Sequence, residues 1–229
     1  MFDHQLLRYL EGYLTNERKA RFEEVLTQRT NFLTVAIEDV FQLHNTSAVI
    51  RSCDAFGIQN VHVVEARYGK RLDKQIAMGA EQWVDVQRYK STKSCLEALK
   101  SANFQIIATT PHDNAVELSQ FELTQKTALF FGTEKEGLSQ EILNAADGYI
   151  TIPMNGFTES LNVSVAAAII LQDLGRKLRV SSLDWRLTEI EKNEKRMDWT
   201  KRSIKDVAAL SRDLDHRNIF CTFNCNQFK

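Results

Sequence analysis

The segment HNTSAVIRSCDAFG, residues 44–57, places polar side chains at helical spacing. Asn45 could cap a helix on which Ser47, Arg51 and Asp54 recur opposite small apolar residues. An arginine is unusual on such a helix. By itself, the segment favours a surface salt bridge between Arg51 and Asp54, three residues on, over a functional role for the arginine.

Two later segments place glycines and polar residues where strands are expected to end. In FFGTEKEGLS, residues 130–139, Gly132 and Gly137 flank a charged turn. Glycines there allow the backbone to approach a ligand closely, although a routine loop between a strand and a helix would look the same. In IPMNGFTESLNVSVAAA, residues 152–168, an Asn-Gly turn precedes Glu159–Asn162, which opens a helix of small residues. Polar side chains at such a helix start can form a rigid site.

The glycine fingerprints of the common nucleotide sites are missing. No GxGxxG motif follows a predicted strand, and the sequence contains neither GxxxxGKS nor GxxxxGKT. A Rossmann cofactor site and a P-loop are therefore not supported. A nucleotide-like cofactor would have to be bound in another way, in the loops at the carboxyl ends of the strands.

Strand and helix patterns alternate through the middle of the chain. Apolar runs rich in β-branched and aromatic residues predict strands at 33–40, 61–66, 104–110, 127–132 and 148–153. Helical patterns occupy 46–56, 71–79, 92–102, 138–146 and 160–179, and we expect Gly57 to end the first of these helices and Ser139 to cap the fourth. The alternation predicts an α/β fold with a mostly parallel sheet and helices on both faces.

Both ends of the chain have helical patterns without strands. We predict an N-terminal helical extension at 1–30, a core at 31–180, and a charged C-terminal helical extension with a tail at 181–229. Apolar residues of the C-terminal extension could dock on the core: Trp185, Leu187, Ile190, Met197, Ile204 and Leu210. The tail at 219–229 is apolar but has no pattern, so its role stays open.

The composition is that of a soluble globular protein, with 229 residues, 43% hydrophobic residues and a net charge of −1. No apolar run reaches the roughly 20 residues that a membrane span needs, and the N-terminus lacks a signal pattern, so we expect a cytoplasmic protein. Cys221 and Cys225 could bind a metal with His216, but without paired CxxC motifs we expect reduced thiols and no metal site. Because the net charge is near zero, any RNA-binding surface must come from local clusters of charge.

Together, the three segments resemble in order and spacing the signatures of the SpoU/TrmH class of the SPOUT superfamily of RNA methyltransferases. The resemblance spans residues 45–168. It implies S-adenosylmethionine (SAM) as cofactor, 2′-O-methylation of RNA ribose, a homodimer, and a deep trefoil knot at residues 127–180.

The resemblance also implies roles for individual residues. Asn45 and Arg51 would face the target ribose and its phosphate, and Glu134, Ser160 and Asn162 would complete the active centre. Cofactor-binding positions would be Thr109, Gly132, Ile152 and Leu161. Methyl transfer from a sulfonium is an in-line displacement that needs alignment and proton removal, but neither a metal nor an enzyme nucleophile. Because a guanidinium stays protonated, we expect Arg51 to act as an electrostatic clamp, with the proton going to the substrate phosphate, water or Glu134.

The short extensions resemble those of class members that methylate guanosine 18 in the D-loop of tRNA. Relatives acting on ribosomal RNA commonly carry a separate N-terminal domain. Basic residues of the extensions are candidate phosphate contacts: Arg18, Lys19, Arg21, Lys195, Arg196, Lys201, Arg202 and Lys205. Open alternatives are the same reaction on ribosomal RNA or another tRNA nucleotide, and a non-catalytic RNA-binding paralogue, against which the intact motifs argue.

Overall fold

The computed structural model describes residues 2–39, 43–65, 77–111, 115–134 and 136–210. It divides the chain into two compact units, one of residues 29–186 and one that joins residues 1–28 to 187–229. Most of the predicted helix at 71–79 lies outside the described residues, as do His216, Cys221, Cys225 and the tail at 219–229.

Within the described ranges, the larger unit contains one sheet of seven strands, all paired in parallel. The strands are β1 (Leu33–Glu38), β2 (Asn60–Val64), β3 (Asp85–Tyr89), β4 (Gln105–Thr109), β5 (Val116–Glu117), β6 (Thr127–Phe131) and β7 (Gly148–Thr151). Their order across the sheet is β3-β2-β1-β6-β4-β7-β5. The neighbouring strands β1 and β6 are buried along their whole length, as their continuous apolar sequences predict.

The α-helices of the described residues are α1 (His4–Glu11), α2 (Asn16–Leu26), α3 (Leu43–Ala55), α4 (Thr92–Ser101), α5 (Gln140–Ala145), α6 (Val163–Val180) and α7 (Glu189–Ser203). Buried residues of α3 and α6 pack in one core cluster with Leu33, Val35 and Ile37 of β1. Buried residues of α4 and α5 pack with Ala36 of β1 in a second cluster. Because side chains alternate across a strand, the two clusters lie on opposite faces of the sheet, which confirms the predicted α/β arrangement.

The five predicted strands are present, each ending slightly earlier than expected. Two strands were not predicted. Strand β3, DVQRY, mixes charged and apolar residues because it is paired on one side only, and its Arg88 forms an ion pair with Glu65. Strand β5 is two exposed residues at the opposite edge, too short for any periodic pattern.

The observed helix boundaries correct two predictions and confirm two. Helix α3 begins at Leu43, so Asn45 lies inside its first turn, and the prediction that Asn45 caps the helix is wrong. Gly57 adopts a φ of 78° just after α3, as expected for a residue that ends a helix. Ser139 caps α5 through its side chain, as predicted. The predicted helix at 160–179 starts three residues later, because Asn162 is its N-cap.

The smaller unit contains α1, α2 and α7. Leu7 and Leu10 of α1 pack with Met197 of α7, and Ile204 and Leu210 pack against the same cluster. The ring of Phe22 in α2 meets Trp199 edge-on, with centroids 5.6 Å apart. Of the other apolar residues expected to dock on the core, Trp185 belongs to the core of the larger unit, Leu187 is buried and Ile190 is exposed.

Candidate active site

Three polar residues, one from each of the sequence segments singled out above, are joined by hydrogen bonds. The Asn45 Nδ2 amide donates to Glu134 Oε1 at 2.9 Å. The Asn162 Nδ2 amide donates to Asn45 Oδ1 at 3.0 Å and to Glu134 Oε1 at 2.5 Å. We call this group, Asn45, Glu134 and Asn162, the Asn–Glu–Asn cluster.

The start of α6 fixes the orientation of the cluster. Asn162 Oδ1 accepts from the Ser164 backbone N–H at 2.9 Å, from the Ser164 hydroxyl at 2.5 Å and from the Val165 N–H at 3.4 Å. Because the amide oxygen caps the helix, the amide nitrogen must point away from it, toward Asn45 and Glu134. The helix cap and the polar cluster therefore depend on the same side chain.

The loop after β6 presents Glu134 in a tight conformation. Thr133 and Gly137 exchange two backbone hydrogen bonds of 3.0 Å, which close the loop on itself. A Cβ atom at Gly132 would lie 2.2 Å from the Gly137 carbonyl oxygen, so only glycine fits there. Gly137 itself has a φ of 71°, in the left-handed region. Gly132 is thus required by the close approach of the backbone, and Gly137 is favoured by its backbone conformation.

A cavity of about 340 Å³ opens at the carboxyl ends of β4, β6 and β7, a size within the range of about 300–1,000 Å³ typical of small-molecule sites. The four predicted cofactor positions, Thr109, Gly132, Ile152 and Leu161, all line it. So do Glu134 and Ser160 of the predicted active centre. Much of the remaining wall is apolar, formed by Phe131, Leu138, Ile150, Val163, Ala166 and Ile170.

The charged residues among the described cavity walls are all acidic: Glu134, Glu136 and Glu159. An apolar cavity with carboxylates at its wall suits a ligand that combines an aromatic base with positive charge. Because Gly132 and Gly137 in the wall have no side chains, such a ligand can approach their main-chain N–H and C=O groups closely. These features fit SAM, which carries an adenine, a sulfonium and an ammonium group. Sequence reasoning missed Glu136 and Glu159, although both lie in the quoted segments, one or two residues from assigned positions.

Arg51 is exposed on α3 and makes no hydrogen bond or ion pair with the residues that the structure describes. Asp54 instead pairs with Arg29, a buried arginine. The salt bridge that the segment alone favoured is therefore wrong. The structure joins Asn45, Glu134 and Asn162 and places Ser160 at the cavity, but it does not bond Arg51 to any of them.

Several of the predicted RNA-binding residues have acidic partners within the smaller unit. Arg196 pairs with Glu11 and Glu23, each at 2.5 Å, and so links α7 to α1 and α2. Further pairs join Arg21 to Glu24, Lys195 to Asp198 and Arg202 to Asp198. Lys19, Lys201 and Lys205 make no ion pair with described residues, and Arg18 is exposed.

Other groups that could do chemistry are buried. Burial raises the pKa of the Cys95 thiol to about 12 and that of the Cys53 thiol still further, so neither is a nucleophile at neutral pH. Burial lowers the pKa of His62 to about 4. In the part of the chain that the structure covers, no three His, Cys, Asp or Glu residues are grouped to hold a metal ion. Nor does any helix there combine the length and apolar character of a membrane span.

Comparisons with known proteins group this chain with RNA methyltransferases. The sequence model of the SpoU rRNA Methylase family matches residues 32–172. The tRNA (guanosine(18)-2′-O)-methyltransferase of Borreliella burgdorferi is 42% identical over 197 residues, 86% of this chain and 90% of that protein. The Escherichia coli K12 protein of the same name is 41% identical over 160 residues, 70% of each chain.

Solved structures show the same likeness. The A. aeolicus TrmH/SpoU tRNA modifying enzyme superposes with a TM-score of 0.74 at 32% identity, covering 83% of this chain and 98% of that one. The SpoU methyltransferase AviRb from Streptomyces viridochromogenes, in complex with the cofactor AdoMet, gives 0.61 at 25% identity, covering 69% and 65%. The chain belongs to the SpoU methylase family.

Proposed function

We propose that this protein transfers the methyl group of SAM to the ribose 2′-hydroxyl of guanosine 18 in tRNA. The proposal rests on the Asn–Glu–Asn cluster, whose Glu134 lines a cavity that fits SAM. The names of relatives that are 40–42% identical to this chain support the substrate.

The cofactor would be held by the loop after β6 and by the walls that Thr109, Ile152 and Leu161 provide. When bound, it supplies a methyl group activated by the sulfonium. The apolar wall excludes water, and Glu134, Glu136 and Glu159 stabilise positive charge in the cavity. The chain's own contribution to this half of the reaction is alignment, which is the main requirement of an in-line displacement.

On the ribose side, Arg51 would bind the phosphate of the target nucleotide and stabilise the alkoxide that develops on the 2′-oxygen. Its side chain is suited to this because no described residue occupies its donors. Asn45 and Asn162 hold Glu134 through one carboxylate oxygen, Oε1. The 2′-hydroxyl proton would pass to Glu134, water or the substrate phosphate.

The assembly proposed for this chain is a homodimer. Val165 and Ile169 lie four residues apart on α6 and remain 46% and 39% exposed, and Phe157 in the preceding loop is fully exposed. Apolar side chains exposed on one helix face are typical of an interface with another chain. Sedimentation of the wild type and of a Val165→Lys, Ile169→Lys double variant tests the proposal. We expect the wild type to sediment as a dimer and the double variant as a monomer.

Within each protomer we propose that residues 127–180 form the trefoil knot of the SPOUT class. The likeness to TrmH/SpoU structures and the sheet order, in which β4 lies between β6 and β7, support this threading. Tracing these residues in a crystal structure tests it. The terminal helices α1, α2 and α7 would serve as extensions that bind tRNA. A tRNA substrate would be consistent with the cytoplasmic location that we propose.

The reaction is tested with purified protein, labelled SAM, and unmodified tRNA and ribosomal RNA offered separately. We expect label in tRNA, mapped to the 2′-oxygen of the D-loop guanosine. Label elsewhere in tRNA, or in ribosomal RNA alone, would retain the chemistry and change the substrate. Transfer to neither RNA would reject the enzymatic proposal and favour a non-catalytic paralogue.

A further inference from the structure

Glu38, the last residue of β1, is a buried carboxylate without an assigned role. Glu38 lies within the strand predicted at 33–40, and only 4% of the residue is exposed. It is not among the residues that line the cavity. A buried carboxylate is costly unless hydrogen-bond donors or cations satisfy it, so its surroundings should explain why it is there.

Three donors satisfy Glu38, and two of them come from one residue. The Ser139 backbone N–H donates to Oε2 at 2.8 Å, and the Ser139 hydroxyl donates to Oε1 at 2.7 Å. The Thr92 hydroxyl, at the start of α4, also donates to Oε1, at 2.6 Å. No ion pair joins Glu38 to a described cation. Its charge is therefore compensated by hydrogen bonds from two elements.

Ser139 is the residue at which the loop after β6 ends. Gly137 and Leu138, directly before it, line the cavity, and Glu134 in the same loop belongs to the Asn–Glu–Asn cluster. The other end of the loop leaves β6 at Phe131, which pairs with Ile37, the residue before Glu38. The end of β1 therefore holds both ends of the loop, one through the sheet and one through the Glu38 side chain.

We infer that Glu38 is a positioning residue that holds the described part of the loop after β6, residues 132–134 and 136–139, in its ligand-binding conformation by bonding Ser139. The inference rests on the proposed function, because the ligand in question is SAM. Glu38 acts through Ser139 and touches no reacting atom. Its loss should therefore weaken cofactor affinity more than it weakens binding of tRNA.

The test compares Glu38→Gln with Thr92→Val. Glutamine keeps only one acceptor oxygen. With its NH₂ group at the Oε2 position, the Ser139 N–H loses its acceptor; with the NH₂ group at the Oε1 position, the hydroxyls of Ser139 and Thr92 lose the oxygen to which they donate. Thr92→Val removes a hydrogen bond to the same carboxylate but leaves Ser139 bonded, so it is the matched control. We expect Glu38→Gln to raise the SAM dissociation constant by about ten-fold or more, leaving the KM for tRNA within about two-fold. Thr92→Val should leave SAM affinity within about two-fold of wild type.

The rate of amide hydrogen exchange in residues 132–139, measured without ligand, is a second test of whether the loop is held in place. Exchange should be faster in Glu38→Gln and unchanged in Thr92→Val. If Glu38→Gln does not fold, Ser139→Ala replaces it, and Ser139→Thr, which keeps the hydroxyl, should recover most of the lost affinity. Equal SAM affinity and exchange in Glu38→Gln and wild type would overturn the inference, as would equal defects in Glu38→Gln and Thr92→Val. Wild type that does not bind SAM would instead reject the proposed function, while the exchange experiment still decides the role of Glu38.

Discussion

Some side chains of the site are held by hydrogen bonds within the protein, whereas Arg51 makes no such bond to a described residue. Both amides of the Asn–Glu–Asn cluster donate to one oxygen of Glu134, and Asn162 is fixed in turn by its role as helix cap. Arg51 lies on the same helix as Asn45, yet has no bond to any described residue. A side chain that is not committed to the protein can bind an anion from the substrate without first breaking an internal contact.

Replacing Arg51 should therefore affect turnover and not the cofactor. We expect Arg51→Ala to lower kcat by about 100- to 1,000-fold, the usual loss when a donor to a developing oxyanion is removed. SAM affinity, measured by calorimetry, should stay within a few-fold of wild type. Arg51→Lys should recover little, because an ammonium lacks the bidentate geometry of a guanidinium. The control is Lys93→Ala, which removes an exposed cation from α4; near-normal turnover of Arg51→Ala would exclude the clamp.

His62 gives a prediction about stability. Burial lowers its pKa to about 4, and its Nδ1 lies 3.0 Å from the Tyr89 hydroxyl. The unfolded chain, with a histidine pKa near 6.5, binds the proton first as the pH falls, so the stabilisation present above pH 6.5 is lost between about pH 6.5 and 4. From pH 7 to pH 5, His62 should reduce the free energy of unfolding by about 2 kcal/mol.

Urea unfolding at both pH values measures this loss. His62→Gln keeps an N–H donor for Tyr89 but cannot titrate, so its free energy of unfolding should fall by about 2 kcal/mol less than that of wild type over the same range. Equal pH dependence in the two proteins would mean that His62 is not kept neutral by burial.

Among the elements, the loop after β6 does most to shape the site. Glycine is favoured at the two positions for different reasons. A side chain at Gly132 would collide with the Gly137 carbonyl, whereas a Cβ at Gly137 meets nothing within 4 Å and is disfavoured only by the positive φ. Glycine is therefore needed at position 132 because a side chain does not fit there, and it is favoured at position 137 because the backbone has a positive φ.

Alanine at each position separates the two effects. Gly132→Ala must displace backbone at the cavity wall, so we expect SAM affinity to fall by about 100-fold or more. Gly137→Ala should cost about 1–2 kcal/mol of stability and change SAM affinity less. Calorimetric titration with SAM and urea unfolding of both variants measure the difference. Wild-type affinity in Gly132→Ala would contradict the assigned cavity.

Most of this architecture follows from sequence patterns, and the exceptions have physical reasons. The strands β1, β2, β4, β6 and β7 have apolar runs because they lie inside the sheet, whereas β3 and β5 are edge strands with mixed or minimal sequences. The residue types of the Asn–Glu–Asn cluster and of the cavity follow from motif resemblance. Sequence patterns do not show that Asn45 bonds Glu134 and Asn162, or that Glu38 bonds Ser139, because hydrogen bonds between residues 89 to 117 positions apart leave no periodic signal.

On the scale of the whole molecule, the two compact units carry different parts of the proposed function. The larger unit contains the cavity and the cluster, and the smaller unit contains the basic residues proposed to bind tRNA. Those basic residues are not equivalent. Arg196 links three helices through Glu11 and Glu23, whereas Lys201 and Lys205 are exposed and without ion pairs among the described residues.

Salt dependence of tRNA binding distinguishes these roles. A double variant, Lys201→Ala and Lys205→Ala, should bind tRNA more weakly and reduce the slope of log K against log salt by about one to two, the value for one or two lost phosphate contacts. Arg196→Ala should instead lower the free energy of unfolding by about 1 kcal/mol and leave the slope nearly unchanged. A reduced slope in Arg196→Ala, together with an unchanged slope in the double variant, would place the RNA contact at Arg196.

In the proposed reaction, the 2′-hydroxyl of guanosine 18 accepts the methyl group. Two synthetic tRNAs that differ only in having guanosine or 2′-deoxyguanosine at position 18 test it most directly, with labelled SAM and the purified protein. We expect methyl transfer to the first tRNA and none to the second, while both bind the protein equally well because the phosphates are unchanged. Equal labelling of the two tRNAs would contradict the claim, since the methyl group would then be going to another atom.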